Sequence, residues 1–144
     1  MPALLADEKS RIVAEQEQTF EEFLLASDAE FSLNKTGEKV YVHGHCHQKA
    51  FDVLSPVHQL LQEKAGLQVA PIETSCCGMA GAFGYGTDTY DVSMKMAEAS
   101  LLPKVRAAKA EAAIVADGTS CRCQIADGTG RRAEHVAKLL ADRM

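Results

Sequence analysis

Tryptophan is absent from this 144-residue chain, and aromatic side chains make up only 6% of it. Proteins that hold single-stranded nucleic acid stack bases on such rings inside a cationic groove. Here rings are few and cations are in deficit, with 15 Lys and Arg against 20 Asp and Glu and a formal charge of −5. A nucleic-acid partner is therefore not expected. No uncharged apolar run reaches the roughly 18 residues that suggest a membrane-spanning helix. The stretch Met1 to Lys9 carries Asp7 and Glu8 where a secretory leader would have a basic region and then an apolar one. The expectation is a protein with no membrane span, cytoplasmic or held at a membrane periphery only through partners.

What is present fits one globular domain: 47% hydrophobic and 24% charged residues are enough for a single core. The five cysteines are an odd number, and without a leader they read as reduced thiols open to metal rather than as a disulfide framework. Cys76 and Cys77 are adjacent, and a trans peptide drives neighbouring side chains apart, so they are poor candidates for bonding each other. They are better suited to two sites of one cluster, with Cys46 upstream and Cys121 downstream. Gly78, Gly81, Gly84 and Gly86 follow, where the backbone can bend and approach a bulky inorganic group closely. On this segment alone the competing reading is that the pair are small buried hydrophobes.

The apolar pattern predicts an N-terminal helix over 7–25, with Ile12, Val13, Phe20, Phe23 and Leu24 near one face, interrupted at Gln16 and Glu17. After a turn at 34–37, Lys39 to His43 reads as a strand, and Cys46 follows its end. A helical face from Ala50 to Leu61 is split at Ser55-Pro56, read as N-cap and first helical residue, and closes at Gly66. A second strand, Leu67 to Ile72, leads into Cys76-Cys77-Gly78. Thr87 or Asp88 then caps a helix with Val92, Met96, Ala99 and Leu102 inward, bending or restarting at Pro103. Ala112 to Ala116 is a third strand followed by Cys121 and Cys123, and a last helix spans 131–143 with Ala133, Val136, Ala137, Leu139 and Leu140 inward. Three strand, cysteine-loop, helix units predict an α/β fold with a parallel sheet flanked by helices. Ligands in such folds collect at the carboxyl ends of the strands, where the cysteines follow. The expected division is an N-terminal helical segment, 1–33, and a cysteine-rich domain, 34–144.

The runs Val42 to Ala50 (VHGHCHQKA), Ser75 to Tyr85 (SCCGMAGAFGY) and Ala116 to Ile125 (ADGTSCRCQI) resemble the cysteine-rich CCG domain. That domain is found in the B subunit of heterodisulfide reductase, glycolate oxidase iron–sulfur subunits and the C-terminal part of FAD-linked D-lactate or 2-hydroxyacid dehydrogenases, the last being the group most resembled. The likeness covers about residues 20–142. It implies a [4Fe-4S] cluster that passes electrons between a flavoprotein and an acceptor, with Cys46, Cys76, Cys77 and Cys121 as ligands. Gly78 and Gly81 would supply cluster-loop backbone. Gly118 stands where the family's downstream C-x-x-C has its first cysteine, which puts a five-cysteine cluster in doubt. Family members usually carry two copies of the domain beside ferredoxin-like clusters or a flavin domain. FAD is accordingly expected on a missing domain or partner subunit, further iron–sulfur domains are expected partners, and no dehydrogenase activity is expected from this chain alone.

His43, His45, His47 and Cys123 are the candidates for second-sphere donors or alternative ligands; in an extended segment the three imidazoles would share a face opposite Cys46. No catalytic acid or base is needed for electron transfer. Two other functions suit the same thiols: a structural zinc module for docking, and a metal-free thiol redox sensor using Cys121 and Cys123 with the vicinal pair. Met79, Met94 and Met96 read as packing, His58, His135 and Arg131-Arg132 as solvated surface, and Gly84-Tyr85-Gly86 lacks the context of a dinucleotide fingerprint.

Overall fold

The computed structural model describes residues 7–27 and 32–144, which fall into two compact units, Met1–Glu30 and Phe31–Met144. The leader reading of residues 1–6 lies outside the described residues. Among its described residues the first unit holds two helices rather than one, α1 (Glu8–Gln16) and α2 (Phe20–Ala26). The break follows from a second start signal: Thr19 Oγ1 accepts from the Glu22 N–H at 3.3 Å and Glu22 Oε2 accepts from the Thr19 N–H at 2.7 Å. This reciprocal box satisfies two donors that would otherwise be orphaned, so a new helix begins where the apolar stripe lapses. Asp7 caps α1 through the Ser10 N–H at 2.7 Å.

The second unit is α/β, as expected, built on four parallel strands in the order β2-β1-β3-β4. β1 (Lys39–Val42) leads through α3 (Cys46–Ala50), α4 (Ser55–Gln59) and a π-turn (Leu60–Lys64) to β2 (Gln68–Pro71). A 3-10 turn (Phe83–Tyr85), α5 (Tyr90–Glu98) and α6 (Leu101–Ala107) carry the chain to β3 (Ile114–Val115), and α7 (Thr119–Thr129) carries it to β4 (Ala133–Glu134) before α8 (Val136–Ala141). Val40 pairs with Val69, Tyr41 with Ile114, and Ile114 with Ala133. Alternation along β1 sends Val40 and Val42 to one face and Tyr41 to the other, where it packs on a core of Ile72, Leu101, Leu102, Val105, Ile114 and Ile125. Among the described residues no helix is long and apolar enough to cross a membrane.

Several local expectations are corrected. Ser55 and Pro56 are the first two residues of α4, and Leu54 is its N-cap. Thr89 rather than Thr87 or Asp88 stands at the N-cap of α5, its hydroxyl donating back to Phe83 O. Along α5, Ser93 and Ala97 are the buried residues while Val92 and Met96 are exposed, because the helix faces its neighbours with small residues that allow close approach. α6 restarts at Leu101, and Pro103 sits in its first turn, where a missing N–H costs nothing. The largest difference is beyond residue 116: Cys121 and Cys123 lie in α7, and the expected helix over 131–143 is β4 followed by α8. Thr, Ser and Gly in α7 and its weak amphipathicity make it read as loop, and a two-residue strand has too short a pattern to detect.

Arg131, just before β4, ties this region to α6. Its guanidinium donates to the carbonyls of Val105 and Ala108 at 3.0 and 3.1 Å, and to those of Lys109, Ala110 and Ala112 at 3.0, 3.3 and 2.7 Å. These are carbonyls at the end of α6 and in the turn into β3, so a side chain read as solvated is a C-terminal cap in trans. Arg131→Ala is expected to lower stability by about 2 kcal/mol, the scale of lost bonds from a charged donor. Arg131→Lys should recover little of it, lacking the planar fork. Urea unfolding of the three chains checks this.

Candidate metal and cluster site

β1 has β2 on one side and β3 on the other, so the chain changes direction across the sheet between β1 and β3. The crevice outside the carboxyl ends at such a switch is where open parallel sheets receive ligands. Three segments meet there. After β1 the His43 N–H still bonds Val115 O at 2.8 Å, holding the strand against β3 before the chain turns at Gly44. His45 then caps α3, its Nδ1 accepting from the His47 N–H at 3.2 Å while Gln48 Oε1 accepts from the His45 N–H at 2.9 Å. Cys46 is the first residue of α3.

After β2, Cys76 is half-buried and Cys77 is buried. Gly78 is left-handed at φ +89°, and its N–H donates to Cys76 Sγ at 3.3 Å. After β3, Gly118 is the N-cap of α7 and Cys121 lies buried in its first turn. A Cβ at Gly118 would stand 2.5 Å from His45 Cδ2 and 3.1 Å from Cys121 Sγ. Only a glycine lets the starts of α3 and α7 approach this closely, which is a physical reason for its presence at this position. Arg122 braces the same turn, donating to Ala116 O at 2.9 Å, Asp117 O at 2.6 Å and Thr119 Oγ1 at 3.1 Å.

Cys76 feels the charge of Cys46 and Cys77, and Cys121 that of Cys46, Cys76 and Cys77. Cys121 donates a hydrogen bond to Cys77, and with help from the Met79 N–H and Cys76 this overrides burial and lowers the Cys77 thiol to about 6. Cys121 is pushed far up, first as the donor in that pair and then by burial and the other three cysteines. Cys76 is raised by burial, partly offset by the Gly78 N–H. Among the described residues no three His, Cys, Asp or Glu side chains converge on a point that would hold a single metal ion. Ligands of a cubane bind four separate irons and need no common point. The donor set suits such a group in kind: four soft thiols, two backbone N–H groups aimed at sulfur, and a bare Gly118 beside Cys121. The Cys77–Cys121 contact would have to open to admit it.

In the cluster-free chain, one thiolate should appear with a midpoint near pH 6 by absorbance at about 240 nm. Because Cys77 is lowered and Cys121 raised by the same contact, the stability the pair contributes is lost as pH falls through about 6 and declines again above the unfolded thiol value, where Cys121 keeps its proton. Cys121→Ala removes the leading cause, so the midpoint should move up by a unit or more.

The remaining candidates separate. Cys123 is half-buried against the core and pairs with the Tyr85 hydroxyl, whose pKa it raises. Two residues apart on a helix, Cys121 and Cys123 point to different sides, so of the thiols in the sensor reading it is Cys121 that meets the vicinal pair. The three imidazoles share no face. His43 is 2% exposed with Nδ1 at 3.0 Å from Thr74 Oγ1, and burial, with Lys49 and His45 nearby, lowers it to about 4. His47 is exposed, and its ring lies 5.0 Å from that of His45, tilted by 60°. His45 is lowered by burial and His47 against the pull of Asp117. Gly81 is exposed with nothing within 4 Å of an added Cβ, so it is not part of the close-packed loop. Met79 is fully buried packing, as expected, but Met96 is exposed. His58 is half-buried with its Nε2 shut away from water, and His135 caps α8 through the Ala137 N–H at 3.1 Å, so neither is a plain surface residue.

The chain is 30% identical over 106 residues to the C subunit of the anaerobic glycerol-3-phosphate dehydrogenase of Escherichia coli (strain K12), a match covering 74% of this chain and 26% of that protein. It is 32% identical over 97 residues to D-2-hydroxyglutarate dehydrogenase of Haemophilus influenzae, covering 67% of this chain and 9% of that protein. The chain thus spans about a quarter and about a tenth of the length of these two dehydrogenase relatives. No family model and no solved structure matches it.

Sequence reasoning missed three polar residues that hold the site. Lys49 Nζ donates to Thr74 O and, at 3.4 Å, to Thr74 Oγ1, tying α3 to the segment before Cys76. Asp117 Oδ2 accepts from Gln48 Nε2 at 2.8 Å and Oδ1 from the Val136 N–H at 3.0 Å, joining α3, β3 and α8. Gln124 is 3% exposed behind the cysteine pair. A glutamine three residues after Cys121, on one helix face with it, was the one available signal.

Proposed function

We propose that this chain is the cluster-binding electron-transfer portion of a flavin-linked 2-hydroxyacid dehydrogenase assembly, holding a [4Fe-4S] cluster through Cys46, Cys76, Cys77 and Cys121. The observation that carries the reading is the gathering of these four thiols, from three segments, at the carboxyl end of one parallel sheet. When bound, the cluster accepts and releases one electron at a time without proton chemistry. The chain's own residues would hold it: Cys46 and Cys121 from the first turns of α3 and α7, Cys76 and Cys77 from the loop between β2 and α5, and the Gly78 and Met79 N–H groups donating to sulfur. The likeness to one component of a dehydrogenase, and to a small part of a long dehydrogenase, supports a role inside a larger enzyme. FAD and substrate belong, on this reading, to other domains or subunits.

The test is iron, zinc and acid-labile sulfide on the anaerobically purified chain, with a visible spectrum. About four iron and four sulfide per chain with broad visible absorbance supports the proposal. One zinc without sulfide makes the domain a structural clamp, and no metal after reconstitution sinks both.

A further inference from the structure

We propose that Gln124 is a positioning residue for the cysteine pair: it fixes the Cys77–Gly78 peptide plane and thereby aims the Gly78 N–H at Cys76 Sγ. The buried Gln124 Nε2 carries two hydrogens and finds Cys77 O at 3.0 Å and Ser93 Oγ at 3.1 Å, with Ser93 O at 3.5 Å. A peptide unit is planar and trans, so its C=O and N–H point in opposite directions. Drawing the Cys77 carbonyl inward to Gln124 turns the Gly78 N–H of the same plane outward, where it meets Cys76 Sγ at 3.3 Å. The amide packs against the bare side of Gly78: an added Cβ there would stand 3.3 Å from Gln124 Nε2 and 2.3 Å from Ser93 O. α7 therefore delivers two things from one face, the Cys121 thiol and, a turn later, the clamp on the segment that carries Cys76 and Cys77.

Without Gln124 the Cys77 carbonyl is a buried acceptor with no donor, a state costly enough for the plane to rotate toward another partner. The Gly78 N–H would leave Cys76 with it. An N–H directed at a ligand sulfur stabilises the extra negative charge of a reduced cluster, so its loss lowers the reduction potential. This consequence rests on the cluster reading above, whereas the clamp itself rests only on the hydrogen bonds.

The experiment uses the full chain with Gln124→Met, which keeps the volume and removes the donors, and Ser93→Ala, which spares the bond to Cys77. In the cluster-free chain, hydrogen exchange at the Gly78 amide is compared with that at the His43 amide, which is held by Val115 O across the sheet. Gln124→Met should speed Gly78 about tenfold relative to His43, the effect of losing roughly one hydrogen bond's worth of order. Ser93→Ala should do so less. General destabilisation would speed both amides together, and an unchanged Gly78-to-His43 ratio overturns the clamp. In the reconstituted chain Gln124→Met should keep its iron and shift the midpoint potential downward, and an unchanged potential with accelerated Gly78 exchange overturns the tuning. A wild-type chain that takes up no cluster defeats the function proposed above, while the exchange ratio still decides the clamp.

Discussion

Cys77→Ala, Cys121→Ala, Cys76→Ala and Cys46→Ala are each expected to lose most of the iron and sulfide that the wild-type chain binds on anaerobic reconstitution, and Cys123→Ser is expected to keep it. The contrast comes from the site's geometry. Four thiols lie within reach of one another's charge at the strand ends, whereas Cys123 faces Tyr85. A cubane with one of four thiolates removed keeps an iron without a protein ligand, and such an iron is the first to be lost. Cys77 and Cys121 are also core residues, at 4% and 1% exposure, so their truncation carries a packing cost of about 1 kcal/mol. Circular dichroism and urea unfolding of the cluster-free variants separate that modest cost from loss of the ligand. Iron retention by Cys121→Ala, together with iron loss by Cys123→Ser, would reverse the assignment along α7.

Gly78→Ala should destabilise the chain by about 3 kcal/mol and Gly81→Ala by only about 1 kcal/mol, although both glycines are left-handed. Gly78 has φ +89° and Gly81 φ +70°, so an alanine carries a backbone penalty at each. The difference is space. At Gly78 the new methyl would lie 2.3 Å from Ser93 O and 3.1 Å from Ser93 C, backbone atoms of α5 that cannot rotate away. At Gly81 it meets nothing within 4 Å. Relieving that clash would displace the loop that carries Cys76 and Cys77, so Gly78→Ala should weaken cluster retention as well as the fold. Equal midpoints in urea for the two variants would show that the Cys-Cys-Gly loop is not packed as described.

How much of this is legible in the chain varies with the range of the interaction. β1 and β2 are visible because runs such as Lys39 to Val42 are β-branched, aromatic and bounded by turn residues. The placement of Cys46 and Cys76-Cys77 after strand ends follows at once. α7 is not visible: Thr119 to Thr129 mixes hydroxyl, glycine and charged residues, and its burial of Cys121, Gln124 and Ile125 is a property of what packs on it. β4 has two residues, and its pairing with Ile114 and Val115 is the only thing that makes it a strand. The N-terminal helix is overextended when its lapse at Gln16 and Glu17 is read as noise and the start signal at Thr19 with Glu22 is missed.

The sequence by itself determined the α/β class, the alternation of strand and helix, and the association of thiols with strand ends, because each rests on local periodicity and on turn chemistry within a few residues. Only the tertiary structure decided which thiols meet, that Cys123 turns to Tyr85, that His43 is buried while His47 is exposed, and that Arg131 and Gln124 are structural clamps. Those outcomes depend on groups far apart in the chain, 47 positions in the case of Gln124 and Cys77. A buried donor must find an acceptor wherever the fold brings one, and no local pattern records which it will be.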